Sequence, residues 1–334
     1  YLHGLVRTRD GKKMSKSVPE TCIDPLESIA EHGTDALRLA LIQGTGPGQD
    51  LRLYPEKMES CRRFANKIWN AGRYILLTIP LGTPTAPPEK VHSELAQWLL
   101  HGLNDLIRHS QTGLEAHRLS DVVDSLRSFF WGEFCDWYLE MDKKPERTDE
   151  DNQVLAYSYS TLLKLMHPYV PFVTEALWEQ FKQPKMLAVS DWPQEQSYSF
   201  SESHNRIELL REAISQIRTL REKANIGLDK KIGATLDSEK NAELFRTHQN
   251  LIIRLARLSE LEINEKTPDS SRDNLGAYFN ETLASIEASA VDWKKEIESL
   301  QKKLKTESGF VEKSLKKLKN PGFLDKAPEK VIIE

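Results

Sequence analysis

The sequence predicts a mainly α-helical protein with small α/β parts and a coiled-coil helix. Three observations predict this class. Apolar residues recur at three- and four-residue steps through most of residues 55–195, which is the period of an amphipathic helix. Short strand-like runs are confined to residues 1–54 and 200–282. From Ala288 the pattern changes to a heptad repeat that starts at Trp293, which indicates a long helix with a coiled-coil seam.

Residues 1–54 combine a short apolar strand, a loop rich in lysine and serine, and two helices. The first helix is predicted over residues 25–32, where Gly33 would end it, and the second runs from Thr34 to the glycine turn at 44–48. Pro55 fits the first position of a long helix. That helix carries an apolar stripe at helical spacing, formed by Met58, Cys61, Ala65, Ile68, Gly72 and Ile75.

The same long helix places a row of polar side chains on a different face: Arg62, Asn66, Asn70 and Arg73. Such a row can meet phosphates or unstacked bases. A solvated helix face has the same pattern, and spacing by itself favours that simpler interpretation.

After a proline-rich connector at 78–88, amphipathic segments at 91–110, 120–141 and 152–166 predict a helical bundle, which resumes at 174–181. Its aromatic residues are expected in the core rather than as base-stacking platforms, because large rings dominate core burial. His167, which precedes Pro168, is expected to have a structural role.

Residues 190–203 are polar and predict a linker, followed by a helix over 204–224. Two short strands, 231–236 and 258–263, surround a helical stretch, which predicts a small α/β connector. The terminal helix is strongly basic, and its lysines include Lys302, Lys303, Lys316 and Lys317. A basic helix can track nucleic-acid phosphates or simply be solvated.

Composition excludes several classes of protein. Lys and Arg total 46 against 50 Asp and Glu, for a net charge of −4, so any contact with nucleic acid must come from local patches. The three cysteines lie far apart without a CxxC pair, which argues against a zinc site or a disulfide framework. The sequence has no apolar run of about 18 residues and no signal peptide, so a cytoplasmic protein without membrane contact is expected.

The most informative segment is the loop at residues 13–17. Lys13 and Lys16 can supply charge-assisted donors to phosphate oxygens, and Ser15 and Ser17 can add neutral donors. Met14 lies between them. A five-residue motif arises by chance too often to identify a site without its context.

The context of the loop resembles valyl-tRNA synthetase, a class I aminoacyl-tRNA synthetase. The loop reads KMSKS, preceded by HGLVR and followed by IDPLESIAEHGTDALRLAL and GPGQDLRL. Further matches fall in family order: FANKIWNAGRY at 64–74, EFCDWYLE at 133–140, HPYVPFVTEALW at 167–178 and NPGFLDKAPEKV at 320–331. The resemblance therefore covers nearly the whole chain.

This resemblance implies four regions. Residues 1–54 would be the C-terminal end of the class I catalytic domain, with the KMSKS loop and the stem-contact region. Residues 55–195 would form the helical anticodon-binding domain, 200–282 the α/β connector, and 286–334 a truncated coiled-coil arm. The chain is expected to be a fragment, because the family's HIGH motif and editing domain lie upstream of the loop.

The resemblance also implies a function. The complete enzyme would make valyl-adenylate from valine and ATP, with Mg²⁺ and without zinc, and transfer valine to tRNA-Val as a cytoplasmic monomer. Lys13 and Lys16 would serve catalysis, and residues 13–17 together would bind ATP. Contacts to tRNA would come from Arg62, Asn66, Asn70, Arg73, Lys302, Lys303, Lys316 and Lys317. The fragment by itself should be inactive.

One departure keeps alternatives open. Where the family usually continues the loop with Gly-Asn, this chain has Val18-Pro19-Glu20-Thr21-Cys22, and Pro19 stiffens the backbone there. A non-catalytic tRNA-binding or assembly module is therefore a second interpretation. An isoleucyl or leucyl ligase is a third, since these relatives share the loop and the general helix pattern.

Overall fold

The structure is a computed structural model that describes residues 4–15, 22–268, 275–287 and 293–318. The chain forms two compact units, Tyr1–Ile207 and Glu208–Glu334. Each unit has its own core, and each is described separately.

The first unit begins with a two-stranded parallel sheet, in which β1 (Val6–Arg7) pairs with β2 (Leu51–Arg52). Between these strands lie α1 (Pro25–His32), as predicted, and α2 (Thr34–Ala40), which starts at the predicted residue but ends before the expected glycine turn at 44–48. The Asp24 carboxylate accepts hydrogen bonds from the amides of Leu26 and Glu27, at 2.7 and 3.3 Å, and so caps α1. Gly33 ends α1, as predicted, and has φ +91°, a conformation that glycine adopts without strain.

A helical bundle completes the first unit. It begins at Pro55, the predicted first helical residue, and α2 packs against its first helix. The helices are α3 (Pro55–Thr78), α4 (Glu94–Glu115), α5 (Leu119–Ser128), a π-helix (Phe129–Tyr138), α6 (Leu139–Met141), α7 (Asp149–Met166) and α8 (Pro171–Gln180), followed by a short 3₁₀ turn (Leu187–Val189).

The π-helix is a departure from the expected α-helix at 120–141. A π-helix closes i→i+5 hydrogen bonds and is rare beyond a single turn, so apolar spacing at 120–141 could not reveal it. Its buried rings follow one another at four-residue steps: Phe130 stacks on Phe134, and Phe134 on Tyr138, with centroids 5.8 and 5.9 Å apart. Phe64 of α3 meets Phe130 edge-on at 5.8 Å. These four rings confirm the expectation that bundle aromatics form the core.

The predicted start of α7 is corrected by its cap. The Thr148 hydroxyl accepts from the Asp151 amide while the Asp151 carboxylate accepts from the Thr148 amide, at 3.2 and 2.7 Å. This capping box starts the helix at Asp149 rather than Asn152. At the other end of the bundle, α9 (Ser201–Lys223) begins three residues before the predicted His204.

The second unit contains most of α9 and a four-stranded sheet. Ile214, Ile217 and Leu220 of α9 are fully buried. The sheet has the order β4–β3–β6–β5, with β3 (Ile232–Asp237) parallel to β4 (Leu258–Asn264) and antiparallel to β6 (Thr282–Ile286). Between β3 and β4 lie α10 (Ala242–Thr247) and α11 (Gln249–Ala256). The two predicted strands and the helical stretch between them are confirmed.

The hairpin of β5 (Leu275–Phe279) with β6 was missed in the sequence. Its turn consists of Asn280 and Glu281, both at positive φ, 38° and 57°. This geometry normally selects Asn-Gly or Asp-Gly, and Glu281 replaces the glycine that would have identified the turn. After the hairpin, α12 (Trp293–Leu318) is the predicted basic helix.

Candidate nucleic-acid interface

A small hairpin presents the start of the lysine and serine loop. The Thr8 amide donates to the Lys12 carbonyl at 2.9 Å, and the Gly11 amide donates to the Thr8 carbonyl at 3.0 Å. Gly11 has φ +82°, which the tight reversal requires. The backbone of Lys13 then pairs with that of Arg7 on β1 in a single antiparallel β-bridge. The reversal therefore sets where the loop begins.

The base of this hairpin is tied to the glycine turn before β2. The Asp50 carboxylate accepts from the Leu5 amide at 2.8 Å and forms an ion pair with the Arg7 guanidinium. Arg7 also donates to the Gly11 carbonyl at 3.1 Å. The hydrogen bond from Arg7 holds the pKa of Asp50 below its ordinary value. Asp50 therefore links the GPGQD segment to the loop.

The predicted ATP-loop residues are only partly within the described chain. The Lys13 side chain is exposed, while Met14 and Ser15 are half-buried. Lys16 and Ser17 lie outside the described residues, as do residues 18–21 of the family departure. An exposed ammonium at the end of a fixed hairpin is suited to contact a polyphosphate.

The predicted polar row on α3 is a continuous exposed face. Arg62, Asn66, Asn70 and Arg73 are all exposed. Arg62 is already engaged, because its Nε lies 2.8 Å from a Glu59 carboxylate oxygen, and this hydrogen bond raises the pKa of Arg62. An incoming phosphate would compete with Glu59 for this guanidinium.

Trp69 belongs to the same face and was missed in the sequence. Its side chain is 42% exposed, whereas bundle aromatics were expected in the core. It follows Asn66 by three residues and precedes Arg73 by four, so the three side chains share one side of the helix. An exposed indole among amide and guanidinium groups can stack on an unpaired base. The sequence offered one signal of this exposure, because Trp69 lies outside the apolar stripe of α3.

A polar cluster joins the 1–54 segment to the bundle. The Gln43 side-chain oxygen accepts from Arg127 at 3.0 Å, and its nitrogen donates to Asp124 at 2.9 Å. Arg127 also donates to the Ser60 hydroxyl at 2.8 Å. Lys57 donates to the Gln43 carbonyl at 2.6 Å, and burial lowers the pKa of Lys57. These contacts hold the segment that follows the loop against α3 and α5.

The terminal helix exposes both its charged and its apolar residues. Lys302 is exposed, and the side chains of Lys303, Lys316 and Lys317 lie outside the described part. The seam is also exposed, as seen for Ile297, Leu300, Leu304, Val311 and Leu315. The predicted reversal at residues 320–322 lies outside the described residues.

Other candidate groups have structural roles. His167 Nδ1 lies 2.8 Å from the Thr174 hydroxyl, which supports the expected structural role of this histidine. Cys61 and Cys135 are buried, and burial raises the pKa of Cys135 to about 12. In the described ranges no group of three or more His, Cys, Asp or Glu side chains has the arrangement of a metal site. No helix within those ranges is long and apolar enough to span a membrane.

Three family models match the chain in order. Residues 1–54 match "tRNA synthetases class I (I, L, M and V)", residues 96–236 match "Anticodon-binding domain of tRNA ligase", and residues 292–334 match "Valyl tRNA synthetase tRNA binding arm". The α3 face lies in the interval between the first two matches.

Curated relatives match the chain from end to end. It is 36% identical to the valine–tRNA ligase of Staphylococcus carnosus, covering 100% of this chain and 39% of the relative. It is 35% identical to that of Carboxydothermus hydrogenoformans, covering 99% and 38%. The chain thus spans about two fifths of the length of these relatives.

Among solved structures, the LeuRS–tRNA–LeuAMS complex of Agrobacterium radiobacter K84 is similar over 59% of this chain and 24% of that one, at 19% identity and a TM-score of 0.47. A likeness at this level supports no argument beyond itself. The three family matches in order, together with the identity along the whole chain, show that the chain belongs to the valine–tRNA ligase family.

Proposed function

We propose that this chain is the part of a valine–tRNA ligase that supplies the KMSKS loop and binds tRNA. The observation that carries the proposal is the order of features along one chain. A hairpin presents Lys13, an exposed polar face follows on α3, and a basic helix follows near the end. Each of these is a surface suited to phosphate or to an unpaired base.

In the proposed reaction, the valine carboxylate attacks the α-phosphate of ATP and pyrophosphate leaves. A hydroxyl at the 3′ end of tRNA-Val then attacks the valyl carbonyl of the adenylate, and AMP leaves. Lys13 and Lys16 would neutralise the charge that develops on the triphosphate, with Lys16 in direct contact. Ser15 and Ser17 would hold the loop and donate to phosphate, and Met14 would anchor it. Lys13 offers an ammonium rather than a metal ligand, so Mg²⁺ would arrive bound to ATP.

The contacts to tRNA would come from two surfaces. Asn66, Asn70 and Arg73 on α3, with Trp69 beside them, have the chemistry to bind unpaired bases. The lysines of α12, among them Lys302, would track phosphates. By resemblance, the complete ligase would act on tRNA-Val as a cytoplasmic monomer.

The proposed domains follow the family. Residues 1–54 would carry the loop and the stem-contact region, 55–195 the anticodon-binding bundle, 200–282 the connector and 286–334 the arm. The cluster around Gln43 and Arg127 would keep the first two regions in a fixed relation, so that loop and bundle meet one tRNA together.

A second candidate is a tRNA-binding or assembly module without catalysis. The departure Val18-Pro19-Glu20-Thr21-Cys22 favours it, because a proline and a carboxylate replace flexible residues beside the phosphate loop. This candidate keeps both tRNA surfaces but has no use for Lys16.

Two assays separate these functions. The isolated chain should bind tRNA-Val with a salt-sensitive affinity but should not form valyl-adenylate, because the family's HIGH motif and amino-acid pocket lie upstream of the loop. The full-length ligase that contains this chain should charge tRNA-Val with valine. Charging with isoleucine or leucine instead, or no charging at all, would contradict the proposal, as would a chain that binds no tRNA at low salt.

A further inference from the structure

The N-terminus of α8 has no capping side chain of its own. Its N-cap residue is Val170, whose side chain has no hydrogen-bonding atom, and its first helical residue is Pro171, which has no N–H. The first amides of a helix lack partners within the helix. The amides of Phe172 and Val173 therefore need an acceptor from another part of the chain.

Asp35 of α2 supplies that acceptor. It precedes Phe172 by 137 positions, and its carboxylate oxygens accept from the amides of Phe172 and Val173, at 3.2 and 2.8 Å. Asp35 is 8% exposed, so water competes little for these bonds. Burial raises the pKa of Asp35, and the two amide hydrogen bonds oppose this rise. A carboxylate at a helix N-terminus also interacts favourably with the helix dipole.

A second polar contact joins α2 to the same corner of the bundle. Arg38, one turn after Asp35, donates to the Pro168 carbonyl at 3.2 Å, in the turn between α7 and α8. The apolar side chains of α2 are buried, and α2 packs against both α3 and α8. Apolar packing is not directional. The contacts of Asp35 and Arg38 therefore set the position of α2 along the start of α8.

Close packing joins α8 to α3, the helix with the proposed tRNA face. A Cβ at Gly72 would lie 2.5 Å from Leu177 Cδ2 and 2.5 Å from the Tyr159 hydroxyl. At this point α3 therefore has no room for a side chain against α8 and α7. Gly72 lies between Asn70 and Arg73 of the polar row. Packed elements thus connect the exposed face of α3 through α8 to α2.

The other end of this connection is the KMSKS loop. Residues 18–24, α1 and Gly33 are all that separates the loop at 13–17 from α2. The position of α2 on the bundle therefore also sets where the segment that follows the loop is held. The chain has one buried carboxylate that bonds both amides at the start of α8, and it belongs to this segment.

We propose that Asp35 is a positioning residue for the transfer of valine to tRNA, because its cap on α8 holds the loop segment in a fixed relation to the helix that binds tRNA. This role rests on the proposed function. A tRNA held along α3 presents its 3′ end correctly only if the two regions keep their relation, and a displacement of about 1 Å can cost about 10²-fold in rate. Adenylate formation uses no tRNA and does not depend on this relation.

The first experiment measures hydrogen exchange of the 334-residue chain by mass spectrometry. Asp35→Ala should increase exchange both at the start of α8 and in α2, because each loses its contact with the other. Thr148→Ala is the matched control, since it removes a helix cap that lies wholly within the bundle. The control should increase exchange at the start of α7 only. Circular dichroism and the unfolding midpoint check that both variants fold.

The second experiment measures kinetics in the full-length ligase. Asp35→Ala should lower kcat for aminoacylation of tRNA-Val by about tenfold, while KM for tRNA-Val and valine-dependent pyrophosphate exchange stay within about twofold of the parent. Asp35→Asn should give an intermediate kcat, because its side-chain oxygen can still accept one of the two hydrogen bonds. Thr148→Ala should keep the parent kcat and KM, although it also removes a helix cap.

The outcomes distinguish this role from the proposed function. A parent ligase that does not charge tRNA-Val overturns the proposed function, and the role of Asp35 with it. A parent that charges normally, with Asp35→Ala equal to Thr148→Ala in kcat, overturns only the role of Asp35. An equal loss of pyrophosphate exchange and of aminoacylation in Asp35→Ala also overturns it, as does equal exchange at the start of α8 in the two variants.

Discussion

At the scale of single residues, the proposed roles of the loop lysines start from the backbone position of Lys13. The backbone of Lys13 is held by its β-bridge to Arg7 and by the chain reversal at Gly11. Lys16 follows three residues later and is assigned from the motif. A donor that acts mainly on developing charge should affect the rate of the chemical step more than binding.

We therefore expect Lys16→Ala in the full-length ligase to slow valyl-adenylate formation by about 10²-fold or more. Its affinity for tRNA should change little, because the proposed contact of the loop is to ATP. Valine-dependent pyrophosphate exchange measures the first quantity and filter binding the second. Lys12→Ala is the control, since Lys12 is exposed but lies outside the motif. Exchange near the parent rate in Lys16→Ala would contradict the assignment.

The α3 face gives a second residue-scale prediction. If Asn66 and Trp69 contact bases, Asn66→Ala and Trp69→Ala should each weaken tRNA-Val binding by about 1–2 kcal/mol, and should weaken an unrelated tRNA less. Leu77→Ala is a control, because Leu77 is also exposed on α3 but follows the polar row. An equal loss for both tRNAs would indicate phosphate contact instead, and no loss would indicate a solvated face.

His167 gives a prediction about pH. Burial lowers its pKa below the ordinary 6.5, although Glu175 and Asp35 oppose this. Between the lowered pKa and 6.5 the folded state binds fewer protons than the unfolded state, so this histidine makes stability fall as pH falls. The unfolding midpoint of His167→Gln should therefore depend less on pH between about 7.5 and 5.5 than that of the parent chain. Equal pH dependence in the two proteins would rule out this role.

At the scale of secondary-structure elements, α12 is a helix with two exposed faces. The helix needs a partner that covers its apolar seam to be stable in water, because helices in proteins gain most of their stability from packing. Gly309 lies in the middle of the helix and weakens it by about 1 kcal/mol relative to alanine. The lysine cluster between Lys302 and Lys317 is the feature that would direct this element to RNA.

Neutralising three of these lysines tests that role. The variant Lys302→Gln/Lys303→Gln/Lys316→Gln should reduce the salt slope for tRNA binding by up to about three, since each lost phosphate contact removes roughly one. A triple Lys→Gln change at Lys90, Lys143 and Lys182, which lie outside the proposed surfaces, gives the matched control. An unchanged slope in the α12 variant would make the cluster a solubilising face and the helix an assembly element.

At the scale of the whole molecule, the first unit depends on contacts between distant parts of the chain. Arg127 takes part in three of them. It donates hydrogen bonds to Gln43 of residues 1–54 and to Ser60 of α3, and its Cζ lies 5.5 Å from the ring centroid of Phe64. Charge-assisted hydrogen bonds of this kind contribute about 1.5–3 kcal/mol each when partly buried. The cluster therefore stabilises the loop segment against the bundle.

Arg127→Ala should lower the stability of this unit by about 2–3 kcal/mol and increase hydrogen exchange in residues 40–54. Arg63→Ala should change stability by less than about 1 kcal/mol, because its pair with Glu59 is exposed. Denaturant unfolding and exchange by mass spectrometry measure the two effects. Exchange at 40–54 that is the same in both variants would show that the cluster does not hold the loop segment.

The sequence by itself determined the helical class, the starts of α1 and α3, the strands β3 and β4 and the family. These depend on local signals: Pro25 and Pro55 at first helical positions, Gly33 directly after a helical stretch, and apolar residues at helical spacing. Local chemistry constrains the backbone near each residue, so these signals can be found without a structure. The motif at residues 13–17 is likewise contiguous.

Only the tertiary structure decided which side chains from distant segments meet. The Gln43–Arg127 contact joins residues 84 positions apart, which no local pattern relates. The π-helix escaped prediction because apolar spacing does not distinguish it from an α-helix. The Asn280–Glu281 turn escaped because it lacks the glycine that normally marks such a turn. Trp69 escaped because exposure, which distinguishes it from the core rings, is a property of the folded chain.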